Sequence, residues 1–282
     1  MAKTVAQAIA ALTARFAAVD SNSARLDARV LTAHALGRDP DQLFGRAEIP
    51  LPPGAEAALE GFAARRLAFE PVSRIIGRRE FWSMDFALTR DTLDPRADTE
   101  TLVAAVLAVR DAYTAPRLLD LGAGTGCILL AILKDWPTAT GIGVDLNPGA
   151  VTVAADNAQR LGLAARAAFR VGNWCAGLGE KFDLIVSNPP YVADNDLESL
   201  APAVTRFDPR LALSGGADGL AAYSALLPEA RRHLQENGRI FLEIGAGQAE
   251  AVSGLLALSG FRATGEHRDL AGFVRCLEAV PA

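Results

Sequence analysis

Two short runs hold the residues best suited to chemistry in this 282-residue chain: SNPPY, Ser187 to Tyr191, after the apolar stretch FDLIV, and DLGAGTG, Asp120 to Gly126, after RLL. Proline has a fixed φ and no N–H, so Pro189 and Pro190 cannot extend a central strand. The first run must be a rigid loop at a strand end. Asn188 offers a side-chain carbonyl, the two prolines offer backbone carbonyls with no competing N–H, and Tyr191 offers a flat ring. A corner so rich in acceptors suits a planar NH₂ group held by both its hydrogens. Asn188, Pro189 and Tyr191 are therefore the catalytic candidates, and Asn188, Pro189, Pro190 and Tyr191 together the substrate-binding ones.

An amide nitrogen is a poor nucleophile because its lone pair is delocalised into the carbonyl. Two acceptors drawing on its hydrogens favour the less planar, electron-rich nitrogen of a transition state, and correct placement removes much of the entropic cost. No histidine lies in this segment to serve as a base. None is required before attack on a cationic methyl donor, because the donor leaves as a neutral thioether and the extra proton on nitrogen departs afterwards.

The second run reads as a cofactor loop. Gly122, Gly124 and Gly126 allow a sharp turn and close ligand approach to bare backbone around Ala123 and Thr125, and the helix that follows offers unpaired N–H groups. The run GVDL places Asp145 at the end of the next strand, about 20 residues beyond the loop, where an acid accepts hydrogen bonds from ribose hydroxyls. The glycine spacing is G-x-G-x-G, not the G-x-G-x-x-G that cradles a pyrophosphate. Asp120, directly before the loop, would be unfavourable near phosphate and suits a cationic ligand. S-adenosylmethionine, with a sulfonium and an ammonium group, fits better than NAD. Asn173 and Trp174, at the end of a third strand, are candidates for the adenine edge and the adenine face.

These runs need a frame. After Pro116 strands alternate with helical runs, the signature of a parallel sheet with crossover connections: RLLDLG, TGIGVDL, AAFRVG, FDLIVSN and RIFLEIG are the strands, with CILLAILKDW and GAVTVAADNAQRLG among the helices. FRATGEHRDL and GFVRCLEAV follow with only a short turn between them, so the last strands should pair antiparallel. The fold class is α/β, a Rossmann-like seven-stranded sheet with its last strand antiparallel. All candidate loops fall at the carboxyl edge of that sheet, where ligands bind in open α/β folds.

Upstream the pattern is helical. Val5, Ile9, Leu12 and Phe16 give one apolar face; a second helix runs from after Ser23 to Gly37, and a third from Pro53 to Leu67, stopping before Pro71. EFWSMDFALT, Glu80 to Thr89, reads as a short hairpin, and a further helix starts near Asp98. The chain thus divides into a small all-helical domain over 1–78, a hairpin-like linker over 79–95 and a sheet domain over 96–282.

Composition excludes several classes. The formal net charge is −5 with half the residues hydrophobic, which argues against the electropositive surface of a duplex nucleic-acid binder. Arg65, Arg66, Arg74, Arg78 and Arg79 form the densest basic run, read as a solvated face or, alternatively, a docking patch for an acidic partner. Three widely spaced cysteines, Cys127, Cys175 and Cys276, suggest neither a disulfide framework nor a zinc site. No membrane span or signal-peptide core is apparent, so a cytoplasmic location is expected. His34, His233 and His267 read as structural, with His233 near the end of a helix closing at Asn237 and Gly238.

With these residues in hand, the chain resembles the release factor glutamine methyltransferase family, a branch of the class I S-adenosylmethionine-dependent methyltransferases. The resemblance covers nearly the whole chain: the helical N-terminal region, PVSRIIGRREFWSMDFALTRDTLDPRADTE, DLGAGTG, GVDLNP, GNW, SNPPYV and RFDPRLAL. It implies methyl transfer from S-adenosylmethionine to the side-chain amide nitrogen (N5) of the glutamine in the GGQ motif of class I peptide chain release factors, without a metal. It also implies that Gly122 to Gly126 and Asp145 hold the cofactor with Trp174 beside adenine, that Asn188 to Tyr191 bind the glutamine with Asn188 bordering the cofactor, and that the helical domain contacts the release factor. Asn173 stands where the family more often has aspartate, and Asp94 and Ala97 where it usually has isoleucine and proline. The rival readings are an amino-methyltransferase acting on another protein glutamine or on adenine in nucleic acid, an NAD-dependent oxidoreductase, and a binding module that retains the fold without catalysis.

Overall fold

A computed structural model describes residues 3–282. Two compact units emerge: one of residues 1–77 with 201–207, the other of residues 78–200 with 208–282.

The first unit is helical. α1 (Val5–Phe16) begins with a capping box in which Thr4 and Gln7 satisfy each other's backbone N–H groups. Val5, Ala8, Leu12 and Phe16 form its buried stripe. α2 (Ala24–Ala35), α3 (Ala55–Leu67) and α4 (Val72–Ile76) complete the bundle, with Leu31, Leu59, Ala63 and Ile75 closing one core with α1. α4 is absent from the sequence reading because its five residues are too short for a periodic signal. The segment 201–207, which includes α8 (Pro202–Thr205), joins this unit, and the Arg206 guanidinium lies over the Phe69 ring, 5.6 Å from its centroid.

The second unit opens with the hairpin β1 (Arg78–Phe81) and β2 (Met84–Ala87), paired antiparallel, then α5 (Glu100–Ala108). The sheet strands are β3 (Arg117–Leu121), β4 (Thr140–Asp145), β5 (Ala167–Val171), β6 (Phe182–Ser187), β7 (Leu234–Glu243), β8 (Phe261–Arg268) and β9 (Val274–Pro281). α6 (Cys127–Asp135), α7 (Pro148–Arg160), α9 (Ala221–His233) and α10 (Ala249–Leu258) connect them. The strand order is β5-β4-β3-β6-β7-β9-β8, with β9 antiparallel to both neighbours. The short turn between β8 and β9 requires this pairing, and the sheet is the seven-stranded one expected.

β3 and β6 are apolar and buried because both faces are covered. Alternation along β3 sends Leu118 to the face shared with α5 and α6, and Leu119 and Leu121 to the face shared with α9 and α10. One boundary differs from expectation: α9 stops at His233 and β7 starts at Leu234, so Asn237 and Gly238 lie inside the strand. His233 is fixed by the backbone carbonyls of Glu229 and Leu178.

The basic run is not a free patch. Arg65 holds Glu70 and Arg66 is buried against Asp27 at 2.8 Å in the helical unit, while Arg78 faces Asp85 and Arg79 faces Asp94 in the sheet unit. Among the described residues no helix is long and apolar enough to cross a membrane. The three cysteines are buried and free.

Candidate functional site

A cleft opens at the carboxyl edge of β3, β4, β5 and β6, and its floor is the glycine loop. Gly122, Gly124 and Gly126 have φ of 78°, 55° and 77°, a region in which an L side chain is strained. The loop is pinned to β4 where Val144 O accepts from the N–H groups of Gly122 and Ala123. Gly126 also packs so closely that a Cβ there would sit 2.8 Å from the Phe169 ring. In front of Gly124 there is no protein atom within 4 Å of an added Cβ, and in front of Gly122 only the backbone oxygen of Asn188, at 3.9 Å. The glycine loop and the proline corner therefore face each other across a gap kept clear of side chains.

Asp145 ends β4 and holds the loop's far side. Its Oδ2 accepts from Gly124 N and its Oδ1 from Asn147 N, both at 2.8 Å. Each oxygen keeps a second lone pair for a ligand hydroxyl. Burial raises the Asp145 pKa, while these backbone N–H groups favour its charged form. Asn147, unforeseen from sequence as a site residue, caps α7 through Gly149 N and donates to Asp91 O at 3.2 Å, tying a second wall to this corner. Gly172, Asn173 and Trp174 line the cleft beside Val144 and Leu146. Trp174 holds a left-handed φ of 49°, a costly conformation for an aromatic residue that the surrounding chain must enforce.

The proline corner divides. Asn188 and Pro190 line the cleft, whereas Pro189 is buried and does not. Asn188 Nδ2 donates to Thr99 Oγ1 at 3.3 Å, which leaves Oδ1 as the amide's acceptor for a ligand. Tyr191 departs from the expected stacking role: its ring packs against the core under Gly245, and its hydroxyl donates to Glu243 Oε1 at 3.4 Å. A part-buried phenol needs a hydrogen-bond partner, and a buried carboxylate needs a donor, so the two satisfy each other behind the corner. Burial raises the Tyr191 pKa, as does the nearby Glu243 charge.

Asp120 also differs from expectation. Strand alternation turns it to the Leu118 face beneath α6, where it is wholly buried, does not line the cleft, and has no hydrogen-bond partner on either oxygen. Burial pushes its pKa up to about 7.

The remaining wall comes from segments that the sequence marks only through resemblance. Thr99 and Arg96 of PRADTE line the cleft with Pro209, Leu211 and Ala212 of RFDPRLAL. Arg96 Nη2 meets Asp208 Oδ2 at 2.6 Å, and Asp208 Oδ1 accepts from Asp94 N at 3.3 Å, so one carboxylate joins the two segments.

Residues 7–77 match the PrmC N-terminal domain and residues 88–206 the methyltransferase small domain. A release factor glutamine methyltransferase of Rhodospirillum rubrum is 51% identical over 255 residues, covering 90% of this chain and 78% of that protein; one of Cereibacter sphaeroides is 46% identical over 274 residues, covering 97% of both. The chain belongs to the release factor glutamine methyltransferase family. It is a methyltransferase, and its fold agrees: a ribosomal protein L11 methylase from Lactobacillus delbrueckii subsp. bulgaricus superposes with a TM-score of 0.50 over 69% of this chain and 83% of that one, at 21% identity.

Family membership gives the cleft a candidate cofactor, and the residues present fit it. S-adenosylmethionine needs acceptors for two ribose hydroxyls, an apolar and aromatic berth for adenine, and bare backbone near its amino-acid end. Asp145, the Val144–Leu146–Trp174 surface and the open faces of Gly122 and Gly124 supply these in turn.

Proposed function

We propose that this methyltransferase transfers a methyl group to the side-chain amide nitrogen of the glutamine in the GGQ motif of class I peptide release factors. The observation that carries the reading is the 3.9 Å approach between the Asn188 backbone oxygen and the position of a Gly122 Cβ. One cleft holds both a loop suited to the donor and a corner suited to a carboxamide. S-adenosylmethionine, when bound, supplies a methyl group activated by a positively charged sulfur.

The chain's residues divide the work. Asp145 accepts the ribose hydroxyls, Asn173 the adenine edge, and Trp174 covers the ring. Gly122 to Gly126 carry the amino-acid end on backbone N–H groups, and Asp120, buried behind them, does not contact it. Asn188 accepts the hydrogens of the glutamine NH₂ through Oδ1 and its backbone carbonyl, which faces the Gly122 side of the cleft, and Pro190 walls the approach. Held in this way, the nitrogen is in line for attack, and gripping its hydrogens favours the pyramidal nitrogen of the transition state. A new N–C bond forms as the S–C bond breaks; the surplus proton on nitrogen leaves to water. Tyr191 supports the corner from behind instead of stacking on substrate.

The test is to incubate the protein with S-adenosylmethionine and a purified class I release factor and map the product by tandem mass spectrometry. One added methyl on the GGQ glutamine is the expected result. Methylation elsewhere, or none under conditions where the cofactor binds, contradicts the reading.

A further inference from the structure

Gln248 stands at the start of α10, where a side chain commonly caps a helix, yet its side chain makes no capping hydrogen bond. It turns instead to the loops at the carboxyl edge of the sheet. Its Oε1 accepts from Gly245 N at 2.9 Å, and its Nε2 donates to Tyr191 O at 3.1 Å and to Gly219 O at 3.4 Å. One amide thus joins the proline corner after β6, the turn before α9 and the turn after β7. The space around it is closely filled. Gly219 has a φ of 77°, and a Cβ there would sit 2.4 Å from Tyr191 O and 2.8 Å from Gln248 Nε2, so glycine lets the two carbonyls converge on one NH₂. A Cβ on Gly245 would meet Gln248 Oε1 at 2.8 Å and the Tyr191 ring at 3.1 Å.

The joined segments carry two sides of the substrate approach. Just beyond the corner, Val192 N donates to Leu213 O at 3.0 Å, Gly215 N to Val192 O at 2.8 Å and Asp194 N to Gly216 O at 2.9 Å. This short ladder ties the corner to residues 213–216, which continue the cleft wall of Pro209, Leu211 and Ala212. Gln248 closes the ladder by holding Tyr191 O and Gly219 O together. A side-chain amide matches the site because it offers an acceptor for one N–H and two donors for two carbonyls. Gln248 itself does not line the cleft.

We propose that Gln248 is a positioning residue that fixes residues 188–191 relative to the Pro209–Ala212 wall, and so sets where the substrate nitrogen is held. The proposal rests on Asn188 receiving a carboxamide as described above. It assigns Gln248 no contact with substrate or cofactor.

Gln248→Met keeps the length and removes all three hydrogen bonds; Gln248→Glu keeps the acceptor for Gly245 N but sets a carboxylate oxygen against two carbonyls. Both should lower kcat about 10- to 100-fold, the scale set by a misplacement of about 1 Å at a reacting group, with the dissociation constant for S-adenosylhomocysteine within about twofold of wild type. A merely structural role would lower Tm and leave kcat at assay temperature as in wild type. A double-mutant cycle separates the two further. With Asn188→Ala in place the corner has already lost its side-chain acceptor, so adding Gln248→Met should cost at most about threefold more, whereas independent effects would multiply. Amide exchange read by mass spectrometry follows the clasp apart from the chemistry: peptides covering 188–194 and 213–219 should exchange faster in both variants, with β3 unchanged. Wild-type transfer to the GGQ glutamine is measured alongside, and its absence refutes the functional reading, while unchanged exchange in both variants refutes the clasp. With wild type active, both variants at wild-type kcat, or losses that multiply in the cycle, overturn the positioning role.

Discussion

Replacing Asp145 by asparagine perturbs the cofactor end of the cleft at one point. The carboxylate has an oxygen for Gly124 N and another for Asn147 N, each at 2.8 Å. Asparagine has one carbonyl oxygen, so one of these two N–H groups must face an NH₂ instead of an acceptor, and one ribose hydroxyl loses its partner. A hydrogen bond to a charged group is worth about 1.5–3 kcal/mol. At about 1.4 kcal/mol per tenfold change, the dissociation constant should rise about 10- to 150-fold. The loss falls on binding, since Asp145 touches neither the proline corner nor the substrate amide, so kcat at saturating cofactor should stay within about twofold of wild type by the same conversion. Titration calorimetry with S-adenosylhomocysteine, which cannot react, measures the first quantity, and initial rates at rising S-adenosylmethionine measure the second. A variant with wild-type cofactor affinity and a collapsed kcat would refute the role given to Asp145.

Further outcomes follow from the same geometry. Asn188→Ala removes the acceptor facing the substrate nitrogen and should lower kcat about 100-fold or more with little change in cofactor affinity; steady-state kinetics with calorimetry checks it, and near-normal kcat would count against the corner. Asp120→Asn should stabilise the cofactor-free protein in a pH-dependent way. The folded-state pKa is about 7 against an ordinary 3.8, so between those values the folded protein holds a proton that the unfolded chain has released, and wild-type stability falls as pH rises through that window. The Tm difference between variant and wild type should therefore widen from pH 4 to about pH 7 and then level off; a constant difference would show that Asp120 ionises normally. Arg96→Ala removes the cation from the Asp208 carboxylate, whose side chain is 1% exposed and which keeps the Asp94 N–H. Because Arg96 itself is partly solvated, the cost should be about 1–3 kcal/mol, below that of a fully buried pair, read as a lower urea midpoint; an unchanged midpoint would discount this clasp.

The parts legible in the sequence are those whose chemistry is local. Three glycines around Ala123 and Thr125 announce a turn with positive φ, and two prolines after FDLIV announce a rigid strand end, whatever the rest of the chain does. Asp145 could be placed from its distance to the loop because strand, helix and strand have regular lengths. Side-chain direction was harder to read. Asp120 and Tyr191 adjoin the cleft in sequence, yet strand alternation turns the first under α6 and a buried carboxylate draws the second behind the corner. Tyr191 and Glu243 lie 52 residues apart and meet only through the register of β6 with β7. One local signal was available: a glutamate closing the apolar run IFLE in a central strand is a buried charge in need of partners. The joining of residues 201–207 to the helical unit left no periodic signal at all.

The most direct measurement is a crystal structure with S-adenosylhomocysteine and a glutamine peptide bound together. The glutamine amide nitrogen should lie about 3 Å from Asn188 Oδ1, between the proline corner and the cofactor's sulfur. A complex in which residues 188–190 stand out of reach of that nitrogen, or in which the Asn188 NH₂ faces the cleft, would contradict the proposed transfer geometry.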